Sequence, residues 1–302
     1  MLPRHVPGPF SMPRGPDVAM IDAHCHFWRL NQNDCTWPPP ELTAIHRDFL
    51  PDDWQRAANA VGIDAAIAVQ SQPSDRDTDW LLELTRDDPR MAAMIGWVNL
   101  AAPGAPGRIT ALAEHPKLRG LRPMLQDLPD DDWILQPVVT PAIEAMVAHG
   151  LCLDALVRPR HLPHLLQFAE RHPALRVVID HAAKPDIAGD VLDPWRARIA
   201  RLAEFPNVVC KLSGLLTEAG ETWRPDALRP YLDHLLATFG PRRLLWGSDW
   251  PVVNLAADYS RWFDLVDTIT GLAGGERAAL FGDNAARVYG IEARGNQACD
   301  IC

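Results

Sequence analysis

The sequence contains no long hydrophobic run and no cluster of basic residues. No stretch reaches the ~18 consecutive apolar residues of a membrane span, and the first residues lack the continuous apolar core of a signal peptide. Lys and Arg number 29 against 39 Asp and Glu, which gives a net charge of −10 at pH 7. Nucleic acids and membranes are therefore poor candidate partners, and we expect a cytoplasmic protein.

Cysteines are few and scattered, which argues against a small secreted domain held together by disulfides. There are six in 302 residues, and only Cys299 and Cys302 have the C-x-x-C spacing of redox or zinc sites. No second pair is present to complete a zinc set, so we interpret these two as part of a frayed tail. The composition, 47% hydrophobic and 23% charged, is typical of a globular chain with a sizeable core.

The two ends of the chain differ in pattern from the rest. Residues 1–19 contain five prolines before any periodic apolar pattern begins, so we predict a disordered N-terminal extension and consider Met20 as an alternative start. We predict one folded domain over residues 20–290 and a flexible tail over residues 291–302.

From residue 18 onward, short β-rich runs alternate with longer amphipathic runs. Eight strands, each followed by a helix, predict a single-domain (β/α)₈ TIM barrel of the α/β class. An open doubly wound sheet is the alternative, but none of its usual glycine-rich nucleotide motifs follows a strand. The predicted strands are 18–26, 64–71, 91–100, 118–125, 151–157, 175–183, 208–214 and 243–251. The predicted helices are 51–61, 77–87, 108–115, 137–149, 161–172, 194–204, 226–239, 258–272 and 276–288.

The segment from residue 27 to 50 is much longer than the usual βα connection of about two to six residues. Long loops on a barrel usually cover the active site. We expect this loop to form part of the rim, with Trp28 and Trp37 as an apolar wall; the alternative is a loop packed over the side of the barrel.

Polar residues stand at the carboxyl ends of most predicted strands, where a TIM barrel places its chemistry. Charged groups inside a barrel must be paired, hydrated or bound to a metal, so a shared functional site is the simplest explanation. These residues are His24, His26, Arg122, Asp154, Asp180, His181, Lys184, Lys211, Ser213, Ser248 and Asp249.

Four of these residues form a candidate metal-binding set. The two-residue period of a strand places His24 and His26 on one face and turns Cys25 to the other. A third histidine, His181, and Asp249 would complete a group of nitrogen and oxygen ligands suited to zinc or a similar divalent ion. The H-x-H pair alone is a weak signal; the combination is specific.

The stretches "MIDAHCHFW", "LRGLRPMLQD", "DHAAKP", "VVCKLSGLLTEA", "GSDWPV" and "FGDNAARVYG" together resemble the amidohydrolase superfamily, in its sugar-lactonase and 2-pyrone-4,6-dicarboxylate lactonase branch. The resemblance implies a TIM barrel that hydrolyses a lactone to its hydroxy acid in carbohydrate catabolism. It assigns His24 and His26 to the strand-one pair, His181 to the strand-six histidine and Asp249 to the general base.

Two departures from the wider superfamily concern the metal. Arg122 stands where two-metal members carry a bridging carboxylated lysine, and Asp154 stands where many carry a metal-ligating histidine. We therefore expect at most one divalent ion, zinc in the first place, with a metal-independent enzyme as the alternative. Pro123 replaces a histidine that is common in the sugar lactonases, which leaves the particular lactone open.

In the expected mechanism Asp249, whose basicity partial burial could raise, accepts a proton from water and returns it to the leaving alkoxide. The three histidines hold the water and polarise the carbonyl. The expected partner is a small lactone substrate, and the sequence leaves open whether the protein forms a homo-oligomer. Six residues are expected to contact the substrate. They are Arg122, Asp154, Lys184, Lys211, Trp28 and Trp250.

Several alternatives stay open at this stage. Arg122 could form a salt bridge with Asp154, and Lys184 and Lys211 could pair with Asp180 or Asp154, instead of contacting substrate. A metal-dependent decarboxylase of the same superfamily and a catalytically silent barrel that binds sugar acids are the two alternative functions.

Overall fold

The computed structural model describes residues 19–291. The predicted N-terminal extension, the predicted tail and the C-x-x-C pair lie outside the described residues, apart from Ala19 and Ile291. Among the described residues no helix is long and apolar enough to cross a membrane.

Eight parallel strands form one sheet in which each strand pairs with its neighbour in sequence, in the order β1 to β8. All eight predicted strands are present. All eight are shorter than predicted, because the predicted runs continue into the neighbouring loops. The strands are β1 (Ile21–His26), β2 (Ala65–Val69), β3 (Met91–Gly96), β4 (Leu118–Leu121), β5 (Cys152–Ala155), β6 (Val177–Ile179), β7 (Val208–Leu212) and β8 (Leu244–Trp246).

Contacts between the first and last strand regions close the sheet into a barrel. Cys25 and Trp250 form a parallel bridge. The backbone N–H of His26 donates to the Trp250 carbonyl at 2.7 Å, and the N–H of Asp249 donates to the His24 carbonyl at 2.8 Å. The prediction of a (β/α)₈ barrel is confirmed.

Helices surround the strands, and each of the nine predicted helices has a counterpart. Predicted helix 276–288 is interrupted by a π-helical turn at Ala279–Asp283, and a short helix after β7 was not predicted. The helices are α1 (Pro51–Asn59), α2 (Asp75–Thr85), α3 (Ala105–Ala113), α4 (Thr140–Ala148), α5 (Leu162–Arg171), α6 (Trp195–Leu202), α7 (Leu215–Glu218), α8 (Pro225–Phe239), α9 (Tyr259–Thr270), α10 (Gly274–Ala278) and α11 (Asn284–Tyr289).

The last helix closes the amino-terminal end of the barrel. Ala285, Val288 and Tyr289 of α11 pack among the inward-facing aliphatic side chains of the strands. Cys152, the first residue of β5, donates through Sγ to the Val288 carbonyl at 3.4 Å. Because this end is plugged, substrate access is left to the carboxyl end.

The long loop between β1 and α1 is an ordered wall at the carboxyl end. The backbones of Trp28 and Phe49 bond to each other, and the Trp28 ring lies 5.4 Å from the rings of both Phe49 and Trp37. Gln72, just after β2, accepts from the N–H groups of Thr36 and Trp37 through Oε1. The loop is thereby tied to the end of β2.

Candidate active site

His24 and His26 point together into the carboxyl end of the barrel. The pairing of β1 with β2 shifts register between Asp22 and Cys25. The two imidazoles lie with their Nε2 atoms 3.0 Å apart, and Cys25 turns away to donate through Sγ to the Ile67 carbonyl. Both histidines are buried.

His181 from the end of β6 and Asp249 from the end of β8 complete the group. Asp249 Oδ1 lies 3.4 Å from Nε2 of His26, 3.7 Å from Nε2 of His24 and 3.9 Å from Nε2 of His181. Nε2 of each histidine thus lies within 3.9 Å of the same carboxylate oxygen, although the four residues come from three distant parts of the sequence. We call them the four-residue site.

The second ring nitrogen of each histidine has its own neighbour. The Nδ1–H of His26 donates to the Val69 carbonyl at 2.9 Å, and Nδ1 of His181 lies 2.9 Å from Oγ of Ser213. Nδ1 of His24 lies 3.2 Å from Nζ of Lys211 and 3.4 Å from Oδ1 of Asp180. Such contacts fix ring orientation and tautomer, and in His26 they leave the Nε2 lone pair facing the site.

Burial keeps two of the imidazoles neutral. It lowers the pKa of His24 well below its usual value, and the nearby charge of Lys211 lowers it further. Burial lowers the pKa of His181 to about 4. A neutral imidazole is the form that binds a metal ion, so both rings are ready ligands near neutral pH.

Asp249 is ionised. Burial raises the pKa of its carboxyl group, but the interactions with His181 and His26 outweigh burial and bring the pKa well below its ordinary value. The prediction that Asp249 has raised basicity is therefore wrong, because the surrounding histidines stabilise the carboxylate more than burial destabilises it. Its Oδ1 atom is buried and has no hydrogen-bond partner among residues 19–291.

The four-residue site fits a divalent ion such as zinc. Bonds of about 2.0–2.1 Å in tetrahedral geometry place ligand atoms about 3.4 Å apart, close to the 3.0–3.9 Å measured between the site's atoms. The unpartnered carboxylate oxygen of Asp249 and the neutral imidazoles are the donors such an ion requires. The described residues offer two overlapping sets of three candidate ligands, His24 with His26 and Asp249, and His24 with Asp180 and His181.

Lys211 and Asp154 lie below the four-residue site in a buried ion-pair group. Nζ of Lys211 donates to Oδ2 of Asp154 at 2.6 Å and lies 3.1 Å from Oδ1 of Asp180. Burial would lower the pKa of Lys211, but the two carboxylates raise it. Both side chains of the Lys211–Asp154 pair are 0% exposed. Lys211 thus takes the pairing alternative stated above, and neither side chain offers surface to a substrate.

Arg122, from the end of β4, crosses the top of the barrel. Its Nη2 donates to the Gln70 carbonyl at 2.5 Å, and its Nη1 lies 3.4 Å from Nε2 of His24. Its carboxylate neighbour is Asp180 at 3.6 Å, and not Asp154 as the alternative had it. Nε of Arg122 is buried, and none of the described residues accepts a hydrogen bond from it.

The remaining expected substrate contacts lie around the mouth. Lys184 is 3.6 Å from Glu218, and neither Asp180 nor Asp154 is its partner; the two side chains are 18% and 21% exposed. Trp250 is buried against Phe27 and Phe49. Together with Trp28 it belongs to the packed wall beside the site.

The sequence reasoning missed Gln70 and Asp22. Gln70 directly follows β2; its Nε2 donates to the Arg122 carbonyl at 3.0 Å, and its buried Oε1 has no partner. Asp22 accepts from the backbone N–H and the hydroxyl of Ser248 at 2.8 and 2.6 Å, next to Asp249. A polar residue after an apolar run was the signal for Gln70, and a polar residue alternating with two histidines was the signal for Asp22.

Glycines permit the close approach of two strands to the histidines. Gly214, at a φ of 63°, is so near His181 that a Cβ atom would lie 2.6 Å from Nδ1. Asp249 and His181 also have positive φ values, 58° and 52°. Such backbone strain in non-glycine residues is concentrated at functional sites.

Comparisons with known proteins cover this whole barrel. The sequence profile of the amidohydrolase family matches residues 21–291. An L-fucono-1,5-lactonase of Burkholderia ambifaria is 50% identical and one of Burkholderia multivorans is 40% identical, each alignment covering 90% of this chain and 96% of the relative. The crystal structure of an amidohydrolase from Burkholderia multivorans with bound zinc has a TM-score of 0.86 at 39% identity, covering 91% of this chain and 100% of that chain.

Proposed function

The chain belongs to the amidohydrolase family, and on that premise we propose that it is a lactone-hydrolysing enzyme that opens a six-membered sugar lactone to the hydroxy acid. Relatives named L-fucono-1,5-lactonase, at 50% and 40% identity over nearly the whole chain, support this reaction and this ring size. They do not favour the decarboxylase or the binding-protein alternative. The proposed substrate is L-fucono-1,5-lactone or a lactone of closely similar stereochemistry.

One observation carries the proposal: a buried, ionised and unpartnered carboxylate oxygen faces three imidazoles. Oδ1 of Asp249 lies within 3.9 Å of all three Nε2 atoms. Lactone hydrolysis requires a proton acceptor for water, stabilisation of the oxyanion and a proton for the ring oxygen. Asp249 accepts the proton from water and then returns it to the ring oxygen as the ring opens.

His24, His26, His181 and Asp249 would hold one divalent ion, for which zinc is the best candidate. Such an ion, when bound, lowers the pKa of water and polarises a carbonyl group. The protein side chains orient the substrate. Arg122 donates hydrogen bonds to oxygens of the lactone. Its Nη1 atom lies next to His24 and its Nε atom is unpartnered among the described residues, and a planar guanidinium group can donate to two oxygens at once.

Lys184 contributes at the mouth, where it is partly exposed beside Glu218. Trp28 and Trp250 support the apolar wall. Lys211 and Asp154 act from below, through His24, rather than by touching the substrate.

The test is a pH-indicator assay of sugar 1,5-lactones and 1,4-lactones, because each turnover releases an acid. We expect the 1,5-lactone of L-fuconate among the fastest substrates, loss of turnover after chelation, and recovery with Zn²⁺. Asp249→Asn removes the proton acceptor and should abolish turnover. A wild-type protein that opens none of the lactones with or without Zn²⁺, or that releases carbon dioxide from a hydroxybenzoate, would contradict the proposal.

A further inference from the structure

A column of buried polar groups runs from the four-residue site down the inside of the barrel to the last helix. Asp180 and Asp154 flank the ammonium group of Lys211 at 3.1 and 2.6 Å. Below them, the hydroxyl of Tyr289 donates to Oδ2 of Asp154 at 2.9 Å. We call Asp180, Lys211, Asp154 and Tyr289 the axial network. Asp180 directly follows β6, and the other three members come from β7, β5 and α11.

Tyr289 reaches this position because α11 closes the amino-terminal end of the barrel. Its side chain is 1% exposed and packs among the inward-facing residues of the strands. The Nζ atom of Lys211 lies 5.5 Å from the centre of the Tyr289 ring, within the range of a cation–π contact. The same residue therefore contacts the ammonium group through its ring and Asp154 through its hydroxyl.

The hydroxyl of Tyr289 limits where the Asp154 carboxylate can lie. Within the described part of the chain, Oδ1 of Asp154 has no hydrogen-bond partner, and Oδ2 receives both hydrogen bonds, one from Lys211 and one from Tyr289. Without the hydroxyl, Asp154 would be held by the flexible lysine side chain alone. Buried charges are costly unless their partners are in place, so a shift of Asp154 would carry Lys211 with it.

Lys211 in turn acts on His24. Its Nζ atom lies 3.2 Å from Nδ1 of His24, and Oδ1 of Asp180, 3.1 Å from Lys211, lies 3.4 Å from the same nitrogen. The two contacts hold the His24 ring with its Nε2 atom directed to the four-residue site, 3.0 Å from Nε2 of His26. A carboxylate behind a metal-binding histidine fixes both the tautomer and the ring orientation.

We propose that Tyr289 is a positioning residue for His24: its hydroxyl holds Asp154 and Lys211, and Lys211 with Asp180 orients the His24 ring toward a bound metal ion. The proposal rests on the proposed function in that it takes His24 as a metal ligand. Tyr289 in α11 thereby helps to fix the orientation of His24 in β1.

The test compares the Zn²⁺ affinity of the wild type and Tyr289→Phe by competition with a chromogenic chelator. Phenylalanine keeps the ring and removes only the hydroxyl. We expect Zn²⁺ affinity to fall by about 10- to 100-fold, as is typical when a group behind a metal ligand is lost. The matched control is Tyr231→Phe on α8, an equally buried tyrosine residue whose hydroxyl is only partly buried and donates to the backbone carbonyl of Asp186. Its Zn²⁺ affinity should equal that of the wild type.

A second variant, Asp154→Asn, tests the path through the network and stays informative if Tyr289→Phe does not fold. It should weaken Zn²⁺ binding in the same direction. The double variant should be little worse than Asp154→Asn, because both changes act through one contact. Additive losses in the double variant, or unchanged Zn²⁺ affinity in either single variant, would overturn the proposal.

The two proposals fail in different ways. A wild-type protein that neither binds Zn²⁺ nor opens a lactone contradicts the proposed function. A wild type that does both, together with a Tyr289→Phe protein that behaves like Tyr231→Phe, contradicts only the role of Tyr289.

Discussion

Replacing Gly214 with alanine should disable the site through one added methyl group. The Cβ atom would lie 2.6 Å from Nδ1 and 2.7 Å from Cγ of His181, whereas ordinary contacts begin at 3.4 Å. The imidazole must therefore retreat by about 0.8 Å, which disturbs the 2.9 Å contact of Nδ1 with Ser213. Misplacement on the order of 1 Å can cost about 100-fold in rate.

We therefore expect kcat/KM of Gly214→Ala to fall about 100-fold, which corresponds to about 2.7 kcal/mol in the activation barrier. Alanine at a φ of 63° should also lower the free energy of unfolding by about 1–2 kcal/mol. The measurements are initial rates in the pH-indicator assay and urea unfolding of the same preparations.

Gly150→Ala is the matched control, because Gly150 has a φ of 66° and nothing within 4 Å of its added Cβ. It should lose similar stability and keep wild-type kcat/KM, which separates backbone strain from the clash with His181. If Gly214→Ala keeps kcat/KM within about twofold of the wild type, the reasoning that His181 must stay in place is refuted.

Two further predictions concern Gln70 and the titration of His181. In Gln70→Leu, loss of the hydrogen bond to the Arg122 carbonyl should lower kcat/KM about fivefold, mainly by raising KM. The control Gln167→Leu, at an exposed position on α5, should leave kcat and KM unchanged. An unchanged KM in Gln70→Leu would contradict this prediction. The pKa of His181 falls from its usual 6.5 to about 4 on burial, so the unfolded chain binds more protons between these pH values. The stability that neutral His181 contributes is full above pH 6.5 and is lost as the pH falls toward 4. In urea unfolding over this pH range, the free energy of unfolding of the metal-free wild type should therefore fall by up to about 3 kcal/mol more than that of metal-free His181→Gln. Equal pH dependence in both proteins would disprove the lowered pKa of His181.

The barrel and its four-residue site could be predicted because the relevant patterns are local. The two-residue period of β1 puts His24 and His26 on one side, and a (β/α)₈ barrel brings all carboxyl strand ends to one face. Any polar residue at a strand end then comes near the others, which is why His181 and Asp249 could be grouped with the strand-one pair.

Partner choice inside the barrel could not be predicted. Lys211 pairs with Asp154 and Asp180, Arg122 lies beside Asp180, and Lys184 pairs with Glu218. Each of these outcomes depends on differences of one or two ångströms between side chains from separate strands. Strand-end position alone does not contain that information.

The charge states also depend on three-dimensional packing. The pKa of Asp249 falls although the residue is buried, because three imidazoles from two other strand ends surround it. Tyr289 is a core aromatic by its helical pattern, and only the insertion of α11 into the barrel brings its hydroxyl to Asp154. Periodicity along the chain thus sets the fold and the face on which the site lies, whereas distances across the barrel set which groups pair, which are charged and what holds His24 in place.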